Sequence, residues 1–182
     1  MRANQYRRRF SRGGQIGRLL TVAFALSLAT LPAFGDDCIA VLHFGLDDDT
    51  LLPGVDAEKR RVDKLAPFLR QRLSELGHIA PPIATPQDVP PLIANGYLIH
   101  HPARAAAIGQ QAGCRWAAIG KLRKFSFMES WLRLYLIDVA AEKVVGHAEA
   151  EIRGHMSDHR MTRRTTDSLA EQLDEFLAAL AK

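Results

Sequence analysis

Apolar and polar positions along the chain change period in blocks, and the blocks mark out the elements. Cys38-Ile39-Ala40-Val41-Leu42-His43-Phe44 is an almost unbroken apolar run rich in β-formers, the pattern of a strand covered on both faces. Gly45 to Asp56 reads as a loop holding Asp47-Asp48-Asp49 and Pro53-Gly54. From Asp56 to Leu76 the period changes. Val62, Leu65, Phe68, Leu69, Leu73 and Leu76 recur at steps of three and four, which predicts a helix capped by Gly77, with a kink or fresh start at Pro67. Prolines 81, 82, 86, 90 and 91 then exclude a central strand and allow an edge strand near Ile79–Ile83.

The second half is more regular. Pro102 to Ala112 is a short alanine-rich helix with proline at its start and Gly113 at its end. Three strands follow over 114–127, 129–138 and 143–153. In the second of these, Leu132, Leu134 and Leu136 alternate with Trp131, Arg133, Tyr135 and Ile137. Short polar turns join the three as an antiparallel meander. A final helix from about Asp158 carries an inner stripe of Met161, Thr165, Leu169, Leu173, Phe176, Leu177 and Leu180. The order β-α-β(weak)-α-β-β-β-α predicts an α/β (α+β) fold, a mixed sheet of four to five strands with helices packed on it. Its first and third strands would lie side by side in parallel, each beginning at a cysteine. Cys38 and Cys114, the two cysteines of the chain, are then expected to pair; the alternative is two free buried thiols.

Residues before that domain carry a different message. Residues 1–18 hold six arginines and no acid, and an apolar run, Leu19 to Leu31, leads to Pro32-Ala33-Phe34-Gly35. This is the layout of a cleaved signal peptide over 1–35, ahead of one domain over 36–182. The run is too short for the roughly 20 residues of a membrane span, and no span is expected after cleavage. Arg7-Arg8-Arg9-Phe10 loosely fits the twin-arginine address, although the general secretory route is expected. The expected compartment is the periplasm, where a disulfide persists.

Composition changes its meaning once the leader is set aside. The whole chain has a net charge of +4 and a pI near 9.3, which suggests an anionic partner. With the leader's six arginines removed from 24 basic residues, 18 face 20 acidic ones, a net of −2. The case for a nucleic-acid partner therefore loses its charge.

Two constellations remain as candidate sites. His43 with Asp47, Asp48 and Asp49 follows the first strand, where open α/β sheets gather ligands and where hard cations favour clustered carboxylates. The loop lacks a calcium-loop spacing, and an acidic solvated loop that also caps the following helix accounts for it better. Trp131, Arg133, Tyr135 and Ile137 on one face of the fourth strand form a docking surface if exposed together. His155, Asp158 and His159, and separately His100 and His101, have ligand chemistry without any sign of convergence; capping and surface roles account for them. No Gly-x-Ser-x-Gly elbow, phosphate loop or dinucleotide fingerprint occurs. No cofactor and no enzymatic activity are expected.

Several of these segments resemble known families. Ala40-Val41-Leu42-His43-Phe44, Ala106 through Leu122, and Leu134-Tyr135-Leu136-Ile137-Asp138-Val139 with Glu142-Lys143-Val144-Val145 resemble the TolB amino-terminal domain. They also resemble its relatives among the lipoproteins of curli secretion and of penicillin-binding-protein activation. Phe44 through Leu51, and Arg153-Gly154 followed by Asp158, are more closely similar to an exported bacterial family catalogued as a domain of unknown function. The chain departs from that family at His43, where an acid is usual, and in having fewer cysteines. The resemblance implies the fold, the periplasm and a non-catalytic accessory role beside another periplasmic or envelope protein. By gene company, it also implies a link to periplasmic quinoprotein alcohol oxidation. The alternative from the residues is a small-ligand or divalent-metal-binding protein that uses the loop after the first strand.

Overall fold

In a computed structural model, residues 35–48, 50, 52–83, 96–154 and 159–181 are described. The elements are β1 (Gly35–Asp48), α1 (Val55–Glu75), α2 (Tyr97–His100), α3 (Pro102–Gln111), β2 (Cys114–Lys124), β3 (Glu129–Asp138), β4 (Lys143–Arg153) and α4 (His159–Leu180). They form a mixed four-stranded sheet in the order β1-β2-β3-β4. β1 and β2 run parallel, and β2-β3-β4 is the expected antiparallel meander.

Helices cover the two faces unequally. α1 and α4 pack on one face, where Leu65, Leu69, Leu73, Leu169 and Leu173 meet Ile39, Val41, Phe44, Trp116, Leu122, Leu132, Leu134 and Leu136. α3 covers part of the other, where Ala105, Ala106 and Ile108 meet Ala40, Leu42, Ala117, Ile119, Ile137 and Val139. This explains β1, whose residues are buried on both sides and so need no alternation. The β1–β2 register slips between Val41 and Phe44. That slip keeps Phe44 and Leu46 on the same core as Ile39 and Val41 and leaves His43 exposed.

Local chemistry sets the boundaries. α1 ends in the expected glycine cap: Gly77 has φ 98°, its N–H donates to the Ser74 carbonyl, and that of His78 donates to Leu73. α1 is one helix through Pro67, which lies on the exposed side, where the unpaired carbonyl one turn back can be met by water. α3 starts on Pro102, as expected.

Three sequence expectations need correction. The loop expected from Gly45 begins later, because β1 continues to Asp48 beside β2. The strand expected over 114–127 stops at Lys124, and 125–128 form the turn. The weak strand near Ile79 reduces to one parallel bridge to Cys38, since the prolines beyond Ala80 cannot donate to a ladder. The short α2 went unforeseen in the proline-rich segment, whose residues 84–95 lie outside the described ones.

Cys38 and Cys114 are joined, with Cα atoms 4.6 Å apart. The bond ties β1 to β2 inside the α3-side core.

Candidate functional site

β-strand alternation sends every second residue to each face, and the register fixes which residues share the face that α3 covers only in part. On β3 these are Trp131, Arg133 and Tyr135. Trp131 pairs with Arg123 of β2 and Glu151 of β4, Arg133 with Lys121 and Glu149, and Tyr135 with Ile119 and His147. Asp47 of β1 pairs with Arg123. Beyond the edge of α3, Trp131, Arg133 and Tyr135, with Lys121, Arg123 and Glu149 of the neighbouring strands and Phe125 of the β2–β3 turn, line an open groove of about 310 Å³.

Polar contacts hold the groove in shape. Arg133 Nε donates to Glu149 Oε1 at 2.8 Å, and its Nη1 donates to the Tyr135 hydroxyl at 3.4 Å. The Tyr135 hydroxyl and the Glu149 carboxylate raise the Arg133 pKa further above its ordinary value. Lys121 Nζ lies 2.6 Å from Asp47 Oδ2, and Arg123 Nε lies 3.9 Å from the same oxygen. The Arg123 guanidinium also sits over the Phe125 ring, 5.0 Å from its centroid.

Of the four residues expected to form a docking surface, three lie here. Arg133 is exposed, and Trp131 and Tyr135 are half-buried. Ile137 is not part of it: it is fully buried beneath α3, in the core with Ala117 and Ile119. Alternation gave its face correctly; which half of that face a helix covers is not written in the alternation.

The acidic constellation separates for the same geometric reason. Neighbouring residues on a strand point to opposite faces, so Asp47 faces the groove and Asp48 faces the α1/α4 side. Asp48 Oδ2 takes a hydrogen bond from Lys124 Nζ at 3.1 Å, and its Oδ1 takes one from the Thr50 hydroxyl at 2.6 Å. Burial alone would raise the Asp48 pKa, but the bonds from Thr50 and Lys124 outweigh it and hold the carboxyl below its ordinary value. His43 reaches instead toward α1, its Nε2 3.7 Å from Asp63 Oδ1. Asp49 lies outside the described residues. Among the described residues, no three His, Cys, Asp or Glu side chains are grouped to hold a metal ion. Of the histidine motifs, His155 and Asp158 also lie outside the described residues. His159 Nε2 is 3.2 Å from Lys64 Nζ, and His101 stacks on Tyr97.

Sequence reasoning missed two polar features. Glu58, Arg61 and Thr162 are buried together between α1 and α4, with Arg61 Nε donating to Thr162 Oγ1 at 3.1 Å. At the opposite end of the sheet from the β2–β3 turn, His78 Nε2 lies 2.9 Å from Asp174 Oδ1 in a cleft of about 290 Å³ beside Arg115 and Trp116. Each joins residues about a hundred positions apart, which no local pattern announces. The role of Glu149 was missed similarly; its opposition to Arg133 follows from register alone.

The chain belongs to the DUF3280 family, described as a protein of unknown function (DUF2380), whose profile matches residues 37–173. No curated protein matches the sequence. Among solved structures, the hypothetical protein CT253 from Chlamydia trachomatis has the same fold, with a TM-score of 0.54 at 12% identity over 78% of this chain and 98% of that one. Lipoprotein GNA1162 from Neisseria meningitidis matches with a TM-score of 0.49 at 17% identity, over 75% of this chain and 96% of its own. TolB from Acinetobacter baumannii matches with a TM-score of 0.44 at 15% identity, over 78% of this chain and 28% of that longer one.

Proposed function

We propose that the chain is an exported, non-catalytic accessory module that docks another periplasmic or envelope protein through the open half of its sheet. The observation that carries this reading is the clustering of Trp131, Arg133 and Tyr135 of β3, with Phe125 of the adjoining turn, around one groove. Trp, Tyr and Arg are the residues that dominate binding energy at protein interfaces, because they bury large area at low entropy cost and still offer a polar handle. Strands hold them in place before binding, so little ordering is left to oppose association. The cleavable leader read over residues 1–35 and the Cys38–Cys114 bond support an oxidising compartment outside the cytoplasm.

The partner is then a component of an envelope complex or of a periplasmic quinoprotein alcohol-oxidation system. Crosslinking in periplasmic extract, followed by capture of the chain, is expected to return one reproducible partner. Trp131→Ala with Tyr135→Ala is expected to lose it while the chain keeps its melting temperature. Absence of any reproducible partner with the unmutated chain would count against the reading.

A further inference from the structure

A leader has to be removed, and a peptidase takes its substrate as an extended strand whose backbone is free to pair with the enzyme. Ala33-Phe34-Gly35 sets small residues at the two positions that a signal peptidase reads, which puts the scissile bond between Gly35 and Asp36. β1 begins at Gly35. The bond therefore belongs to the first strand of the folded domain and not to a linker ahead of it.

Chain termini fray unless something ties them down. Three ties close on this bond. On the leader side, Gly35 pairs with Cys114 of β2. On the other side, the Asp37 carbonyl accepts from the N–H of Ile79 at 3.0 Å, and the Ile79 carbonyl accepts from that of Ile39 at 2.8 Å. Between those two residues, Cys38 is bonded to Cys114, and the two cysteines are 6% and 0% exposed. The β1–β2 ladder is irregular between Gly35 and Ile39, so the chain bows out of register from Asp36 to Cys38. That bow is short and closed at both ends, which keeps it from lying extended in an enzyme's groove. Gly35 and Asp37 are themselves exposed. Backbone pairing, not burial, withholds the bond.

We propose that the Gly35–Asp36 bond is cut only before β1 joins β2, so that loss of the leader precedes folding and the closing of the disulfide. Water splits the amide; Gly35 leaves on the leader as a carboxylate, and Asp36 keeps the nitrogen as the new terminal ammonium. The site rests on the leader read over residues 1–35 and adds an order of events to it. It also selects the route. The twin-arginine address serves chains that have already folded, and such a chain would arrive with this bond tied into β1. The general secretory route delivers the same bond unpaired, and the Cys38–Cys114 bond then forms in the oxidising compartment.

The full chain in detergent micelles, mixed with purified signal peptidase, tests this order. Chain diluted straight from denaturant into the enzyme is expected to be cut, with Asp36 as its new first residue. The same chain, refolded and oxidised beforehand, is expected to be cut about tenfold or more slowly, because cleavage then waits on opening of the strand. A flexible Gly-Ser spacer inserted between Gly35 and Asp36 carries the site clear of β1, and the two rates should then be equal. Equal rates without the spacer overturn the proposal, as does a spacer chain that stays slow once folded, or a new first residue other than Asp36. Failure to cut even the unfolded chain overturns the leader reading, and the cleavage site with it. In cells, loss of the processed chain from a strain without the twin-arginine translocase overturns the proposed order.

Discussion

Gly120 lies directly beneath the ring of Phe44, so close that a Cβ at position 120 would overlap the ring. The two residues are partners in the parallel β1–β2 ladder, and Phe44 is buried in the α1/α4-side core. The glycine is there because the ring needs its space. Gly120→Ala should cost about 2–4 kcal/mol and lower the melting temperature by roughly 5–15 °C. The check is thermal unfolding in two backgrounds. With Phe44→Leu already in place the added penalty should shrink, because the crowding is pairwise; equal penalties in both would place the cost elsewhere.

Cys38 and Cys114 are 76 positions apart in sequence, and the bond between them restricts the unfolded chain far more than the folded one. By the chain-entropy relation a loop of this length contributes roughly 4.5 kcal/mol. Cys38→Ser with Cys114→Ser should lose stability of that order, read as a lower urea midpoint. Alkylation without reductant should leave the mass of the unmutated chain unchanged, and alkylation after reduction should add two labels.

Asp48 and Lys124 form a pair in which the lysine side chain is 0% exposed and the aspartate 8%. Taking away one member leaves the other charged and buried. Asp48→Asn should therefore cost about 3–5 kcal/mol at neutral pH, whereas Asp48→Leu with Lys124→Met should cost much less. The pH dependence follows from the direction of the Asp48 shift. Its folded-state pKa lies below the ordinary value of 3.8, so its contribution is complete above that value and fades as pH falls through the folded one. Stability of the unmutated chain and of the Asn variant should converge in acid; a constant gap between them down to pH 2 would contradict the assignment.

What the sequence made legible was whatever depends on local period. β3 and β4 alternate, and their bounds match those read from the pattern. The cysteine pair was legible too: Cys114 opens β2, and Cys38 stands near the start of the adjacent parallel β1, which begins three residues earlier than its apolar run, at Gly35. The acidic site was less so. Three consecutive aspartates look like one cluster on paper, but a strand turns Asp47 and Asp48 to opposite sides, and the apolar run that predicts this strand ends at Phe44, short of both. The parallel register then sets Asp47 beside Arg123 and Asp48 beside Lys124. Each carboxylate thus meets a cation of β2 that is far away in sequence.

Ile137 and Trp131 separate folding from docking on one strand. Both belong to the same alternating row of β3, and sequence alone assigns them one role. Ile137 is 0% exposed beneath α3, and Trp131 lines the groove with Tyr135 and Arg133. Ile137→Ala should create a cavity and cost about 2–4 kcal/mol of stability. Trp131→Ala should cost little stability but weaken the partner's grip by about 2 kcal/mol or more, roughly thirtyfold, if the groove is the hot spot. Urea unfolding and quantitative crosslinking on the two variants read these effects separately. An Ile137→Ala chain that stays fully stable yet loses its partner would move the docking surface under α3 and sink the reading of the groove.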